Sequence, residues 1–323
     1  MRRLMALAAL AIAAIVQFGG GVRAQQTYPT RTVRLILPFG AASATDITAR
    51  LFADRLTTRW GKTVVVENRP GGDGLVAIDA FIDAHDDHTL LFGPAGTFLA
   101  HLYGPDAATY DARDLAPIVQ IYVTVLAVSV PASLHVDSVE QLVALARAQP
   151  GKLNAAAATG NSDFLLSGFI KKMDLQITKV PYRDIMQAPN DLAADRIQVL
   201  STSLAVVQPL MHAGRIKVLA VTSKQRAPAS PDIPTAAEAG YPALTMESAG
   251  GLFGPKGMPD ALRESIAADF RKIAEDDPII AKRLADTGQI MVLHGPAGFA
   301  KSVQEQNDQL AAIAKTLGMK GAQ

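Results

Sequence analysis

From Val33 onward the chain alternates short runs rich in β-branched and aliphatic residues with longer segments patterned for helix, and this alternation narrows the fold more than any other feature. "VRLILPF" is followed by a segment with Ile47, Leu51, Leu56 and Trp60 at roughly helical spacing, then by "KTVVVEN", Leu75 to Ala84 and "HTLLFG". That order predicts βαβ units and a parallel sheet. A second series begins near Ile118. "IVQIYVTVLAVSV" reads as a long strand crossing between two bodies. "DSVEQLVALARAQPG" reads as a helix opened by a Ser138-x-x-Gln141 capping box and closed by Pro150-Gly151. "KLNAAA", "ITKVPY", "RIQVLST" and "RIKVLAVTS" supply further strands. The Pro- and Ala-dense "KQRAPASPDIPTAAEAGYPA" reads as a surface crossover, and the tail as helices "MPDALRESIAADFRKIAEDD" and "PAGFAKSVQEQNDQLAAIAKTLG" around a strand "GQIMVLHG".

The expected fold is therefore α/β, in two bodies with a cleft between them. The first comprises 28–124 and 230–323 and the second 125–229. With 323 residues, 49% of them hydrophobic, the chain carries more apolar material than one compact core usually absorbs. Ligands in open α/β sheets lie beyond the carboxyl ends of strands, against helix N-termini, so the strand-to-helix loops are the places to search.

Lys and Arg total 31 against 30 Asp and Glu, with no basic run, which argues against a nucleic-acid partner. The absence of Cys removes thiol nucleophiles, Fe–S clusters and Cys-ligated zinc. At the N-terminus, Arg2-Arg3, the apolar run Leu4 to Val16 and the small residues around Val22-Arg23-Ala24 make residues 1–24 a signal peptide cleaved after Ala24. Export to the periplasm is expected.

Three loops share one plan. In the first, Gly40, Ala41, Ala42, Ser43 and Ala44 let backbone N–H groups approach a ligand, and Thr45 or Asp46 can cap the following helix; a tight connection explains the same residues equally well. The second holds Gly96 and Thr97. The third holds Thr159, Gly160, Asn161 and Ser162 before a helix with Leu165, Phe169 and Met173 on one face, where Asp163 fits a helix N-terminal charge. No G-x-S-x-G elbow, P-loop or H-E-x-x-H occurs. "HDDH", His85 to His88, is a metal-like cluster that a solvated turn explains better, and Arg69 beside Gly71 and Gly72 fits a turn as well as an anion contact. No metal site and no cofactor are expected.

"YPTRTVRLILPFGAASATDITARLFADRLTTRWGKTVVVENRPGGDG", with "VPYRD", "GRIKVLAVTSKQRAPASPDIPTAAEAGYPAL" and "GPKGMP", resembles the solute receptors of tripartite tricarboxylate transporters, the Bug-type periplasmic binding proteins. The resemblance runs from about Tyr28 to about Leu317. It implies a type II periplasmic-binding-protein arrangement closing over a small organic acid, whose carboxylate is held by backbone amides and ordered waters. Carried over residue by residue, it assigns Phe39 to Asp46, Gly96 and Thr97 to the first body's side of the pocket. To the second it assigns Thr159, Gly160, Asn161, Ser162 and Asp163, then Tyr182, Arg183 and Asp184, then Thr202 and Ser203. Ser248 and Ala249 lie in the returning segment. Arg183 is the basic candidate for a distal acid group, with an exposed surface role as the alternative.

The chain also departs from the family pattern. Members usually read Pro-Gly-Gly-x-Thr-Asp in the first loop, where this chain has Ala42-Ser43-Ala44-Thr45-Asp46. Ser-Gly-x-Gly-Ser/Thr becomes Ala158-Thr159-Gly160-Asn161-Ser162, a following His becomes Leu165, an acidic position becomes Thr202 and a bulky aromatic one becomes Ala249. Fewer charges and a missing aromatic imply a roomier, less polar pocket. A first loop without basic side chains is expected to act through main-chain donors. On that basis Ala42→Pro should weaken binding strongly and Asp46→Asn should matter less if Asp46 is only a cap. The expected protein is a monomer serving membrane transporter subunits. The alternatives are a ligand sensor signalling to a membrane partner and an exported hydrolase with Ser43 or Ser162 as nucleophile.

Overall fold

The computed structural model describes residues 28–103, 110–158, 160–182 and 185–319, so the signal-peptide reading of residues 1–24 lies outside the described residues. The first series folds as β1 (Val33–Leu37), α1 (Ala44–Trp60), β2 (Val64–Asn68), α2 (Leu75–Ile82), β3 (Thr89–Pro94) and α3 (Ala95–Leu99). The long apolar stretch is two strands, β4 (Leu115–Thr124) and β5 (Leu126–Pro131). Then follow α4 (Val139–Ala148), β6 (Leu153–Ala157), α5 (Asn161–Lys172), β7 (Ile177–Lys179), α6 (Ala188–Ala193), β8 (Val199–Ser203), α7 (Leu204–His212) and β9 (Ile216–Val221). The chain ends with β10 (Ser248–Pro255), α8 (Asp260–Asp276), α9 (Ile279–Asp286), β11 (Gln289–His294) and α10 (Pro296–Leu317).

Two sheets result, one in the order β11-β4-β10-β3-β1-β2 and the other β7-β6-β8-β5-β9. The βαβ parts are parallel, as the alternation predicts: β1 pairs with β2 and β3, and β6 with β7 and β8. The sheets are nevertheless mixed. β10 runs antiparallel to β3 and β4, β11 antiparallel to β4, and β5 antiparallel to β8 and β9. Segments that pass from one sheet to the other without a helix between them need not re-enter in the parallel direction.

β10 has no strand signature in the sequence because three of its eight residues are glycine. Its neighbours occupy the space that side chains would need. A methyl at Gly250 would overlap the Tyr122 ring, one at Gly251 the Val119 carbonyl oxygen, and one at Gly254 the Met258 sulfur. Tyr122 is fully buried as a result.

Val125, between β4 and β5, joins the two sheets. Its N–H donates to the Gly288 carbonyl at 3.0 Å, and its carbonyl accepts the Leu204 N–H at 2.9 Å. The return path stays with the second sheet beyond residue 230: Val221 bridges Thr235, and the Met246 N–H donates to the Thr222 carbonyl at 2.9 Å. On one side a single hydrophobic cluster runs through both bodies, from Phe98, Phe253 and Phe299 to Leu165 and Phe169. There α10 lies so close to α5 that a methyl at Gly168 would stand 2.8 Å from Ile313 Cγ2. The opposite faces are packed separately, by Phe52 stacked on Phe270 at 4.9 Å and by Leu192, Leu200 and Val207.

Gly288 is pinned at this junction. It adopts φ +70°, and a Cβ there would meet Ala205 Cβ and N at 3.0 Å. Gly288→Ala should lower the unfolding free energy by about 1–3 kcal/mol through the left-handed backbone and the added crowding. Gly240→Ala, at φ +84° with nothing within 4 Å, isolates the backbone share. Urea titration of both variants should show the larger loss for Gly288→Ala.

Candidate functional site

Four strand-to-helix connections open on one cleft of about 570 Å³ between the two sheets: β1 to α1, β3 to α3, β6 to α5 and β8 to α7. This is the position that crossover geometry favours, beyond the carboxyl ends of parallel strands. Of the residues singled out in the sequence, Phe39, Ala42, Ser43, Ala44, Thr45 and Thr97 line it from the first body. Asn161, Ser162, Thr202 and Ser203 line it from the second, with Ser248 from β10.

The first loop owes its path to Asp46. Its buried carboxylate accepts the Ala42 N–H at 2.9 Å, the Arg50 guanidinium at 3.0 Å and the Asn68 amide at 2.9 Å. Asn68 also donates to the Phe39 carbonyl at 2.9 Å, so β2 holds both ends of the turn. Burial pushes the Asp46 carboxyl up, but the bonds from Arg50, Asn68 and Ala42 outweigh it and hold the group below the ordinary carboxylate value. The helix cap is Ser43, whose Oγ accepts the Asp46 N–H at 3.2 Å. Neither Thr45 nor Asp46 plays that part. The Ala42 N–H is engaged by Asp46, which corrects its expected role as a ligand donor.

The donors left over lie in the first helical turns. Ala44 and Thr45 open α1, so their N–H groups have no partner within the helix, and both residues line the cleft. Asn161 and Ser162 open α5 in the same way, behind Gly160. The Thr45 hydroxyl reaches the Tyr122 hydroxyl at 3.4 Å. The Asn161 side chain is buried with neither carboxamide atom partnered among the described residues, and the Ser203 hydroxyl is buried and unpartnered among them as well. Unpaired buried polar groups are costly, and a polar occupant of the cleft would offset that cost at Asn161 and Ser203.

Other sequence candidates stand elsewhere. Gly40, Ala41 and Asp46 flank the cleft without lining it, and Gly96 and Gly160 lie below Asn161 and Thr97. Asp163 is paired with Lys179 on the surface. The Tyr182 hydroxyl donates to Asp191 at 2.7 Å, and burial together with that carboxylate pushes the phenol up to about 12. Ala249 faces away, towards Glu247 and Gln306, because neighbours on a strand point to opposite faces and Ser248 takes the cleft side. Its small size therefore does not widen the cleft. Leu165 is core. Thr159, Arg183 and Asp184 lie outside the described residues.

Sequence reasoning missed the apolar wall of Ile185, Met186, Val206 and Pro209, and also Asp286 and Thr287 at the end of α9. A helix starting at Leu204 directly after a strand gave a signal for Val206; α9 is too short to have stood out.

Among the described residues no Lys, Arg or His lines the cleft. Ser43, proposed as a nucleophile under the hydrolase alternative, is committed to its cap. Asp86, Asp87 and His88 bring ligand atoms within 4.8 Å of one another, beside a separate surface hollow. They are bonded locally: His88 Nε2 accepts the Thr30 N–H at 3.0 Å, Nδ1 faces Asp87 at 2.6 Å, and Asp86 accepts the N–H groups of His88 and Thr89.

Two outcomes follow for the first loop. Ala42 sits at φ +64°, so Ala42→Pro is incompatible with the backbone and should destabilise the fold as well as the loop. Asp46→Asn should cost about 1–3 kcal/mol at pH 7. Because the folded carboxyl is held low, its contribution is full above the ordinary value of about 4 and disappears as pH falls through the folded value. Urea titrations of parent and Asp46→Asn should therefore converge at acid pH.

Three comparisons place this geometry among known proteins. The sequence model of the family described as "Tripartite tricarboxylate transporter family receptor" matches residues 48–319. A protein of Pseudomonas sp. (strain P51), "UPF0065 protein in tcbD-tcbE intergenic region", is 32% identical over 287 residues, covering 87% of this chain and 84% of that one. Protein BugT of Bordetella pertussis is 26% identical over 299 residues, covering 91% of each chain. Among solved structures, R. palustris Rpa4515 with adipate superposes with a TM-score of 0.78 at 29% identity, covering 90% of this chain and 99% of that one. The chain belongs to the tripartite tricarboxylate transporter receptor family.

Proposed function

We propose that this receptor captures a small organic acid in the cleft and passes it to the membrane subunits of a tripartite transporter, acting as a periplasmic monomer after loss of residues 1–24. One observation carries the reading. Two helices from different bodies, α1 and α5, begin at the same cleft, and their first-turn N–H groups at Ala44, Thr45, Asn161 and Ser162 lack helical partners. Helix N-termini favour anions, and a carboxylate held by main chain requires no Arg or Lys. The adipate carried by the R. palustris relative supports the same chemistry.

The two bodies, joined at Val125 and again near Met246, would close on the acid as jaws. Closure brings donors from both sides to the two oxygens of one carboxylate, which neither body alone could satisfy. The paired helix starts supply binding, so we read the protein as a receptor.

Thermal unfolding of the mature chain with a panel of mono- and dicarboxylates, adipate included, tests this. At a concentration a hundredfold above Kd, a bound acid adds about 2.7 kcal/mol and raises Tm clearly. No shift with any acid, alongside a shift with another ligand class, would refute the reading. Main-chain capture has its own test. Ala44 is the first residue of α1, where proline is tolerated, and Ser43 before it is already extended at ψ 157°. Ala44→Pro should leave stability within about 0.5 kcal/mol while weakening acid binding about 10- to 100-fold through one lost charge-assisted bond.

A further inference from the structure

The side chain of Asn161 goes beyond carboxylate capture. It is 5% exposed, lines the cleft from the first position of the twelve-residue α5, and among the described residues has neither its donor nor its acceptor paired. It is also fixed in place: the carboxamide packs on Gly96 of the other body so closely that a methyl at 96 would overlap it. A carboxylate has only acceptor oxygens. It can satisfy the carboxamide N–H but leaves the carbonyl oxygen facing nothing, whichever way the amide is turned.

We propose that the ligand is a hydroxy-carboxylic acid and that Asn161 reads its hydroxyl, an inference that rests on the acid-receptor reading above. A hydroxyl both donates and accepts, so it completes the carboxamide that a bare acid leaves half-paired. An ammonium group would donate too, but burying it calls for an anion. The anion lining the cleft among the described residues is Asp286, which already pairs with Lys282 at 3.0 Å in an exposed position. The remaining wall, Leu126, Ile185, Val206 and Pro209, suits the carbon chain.

Calorimetric titration of the mature protein with butyrate, 2-hydroxybutyrate, 3-hydroxybutyrate and 2-aminobutyrate tests the assignment. At least one hydroxy isomer should bind about tenfold more tightly than butyrate, the value of one neutral hydrogen bond. In Asn161→Ala that ratio should fall to near one, with butyrate affinity changed less than the ratio. Gly96→Ala keeps Asn161 but displaces its carboxamide, and should flatten the ratio as well. Butyrate binding as tightly as both hydroxy isomers, a preference that survives both variants, or tightest binding of 2-aminobutyrate would each overturn the proposal. If no acid binds the parent protein while another ligand class does, the acid-receptor reading fails and this assignment falls with it.

Discussion

A helix cannot satisfy the N–H groups of its own first turn, and the architecture of this protein brings two such shortfalls to one cleft. α1 and α5 belong to different sheets, yet both begin at the same cleft, at Ala44 and Asn161. The two sheets are tied through Val125, whose N–H and carbonyl are both engaged, so the helix starts are held at a common opening while the bodies remain separate units on that side. In the proposed reading, attraction to an anion would therefore arise from backbone, without a cation lining the described cleft.

The surrounding side chains divide between holding backbone and meeting a ligand. Asp46 uses its whole carboxylate internally, accepting from Ala42, Arg50 and Asn68, and thereby fixes a loop in which Ala42 takes a left-handed conformation. Ser43 is consumed as a cap. Asn161 and Ser203 are different: each has buried polar atoms at the cleft with no partner among the described residues. That contrast separates residues that shape the site from those that would touch its occupant.

Much of the fold was legible in the sequence because hydrophobic period and small-residue loops carry it. The β1, β3, β6 and β8 runs were readable, and the loops following them proved to be the ones at the cleft. β10 was not readable, since its glycines are required by Tyr122 and Val119 on a neighbouring strand, a long-range demand with no local trace. The site was legible as loops but not as atoms. Sequence placed Asp46, Asp163 and Tyr182 with the ligand, yet each has an internal partner that only folding supplies. The wall of Ile185, Met186 and Val206 looked like ordinary apolar sequence, because which face it presents depends on packing across the cleft.

The central claim is that backbone donors from both bodies hold one carboxylate. Amide chemical shifts followed by nuclear magnetic resonance during titration with a bound acid test it directly. The N–H signals of Ala44, Thr45, Asn161 and Ser162 should move together, with a single Kd and in the direction of stronger hydrogen bonding. Shifts confined to one body, or saturable binding that leaves these four amides unmoved, would contradict the account.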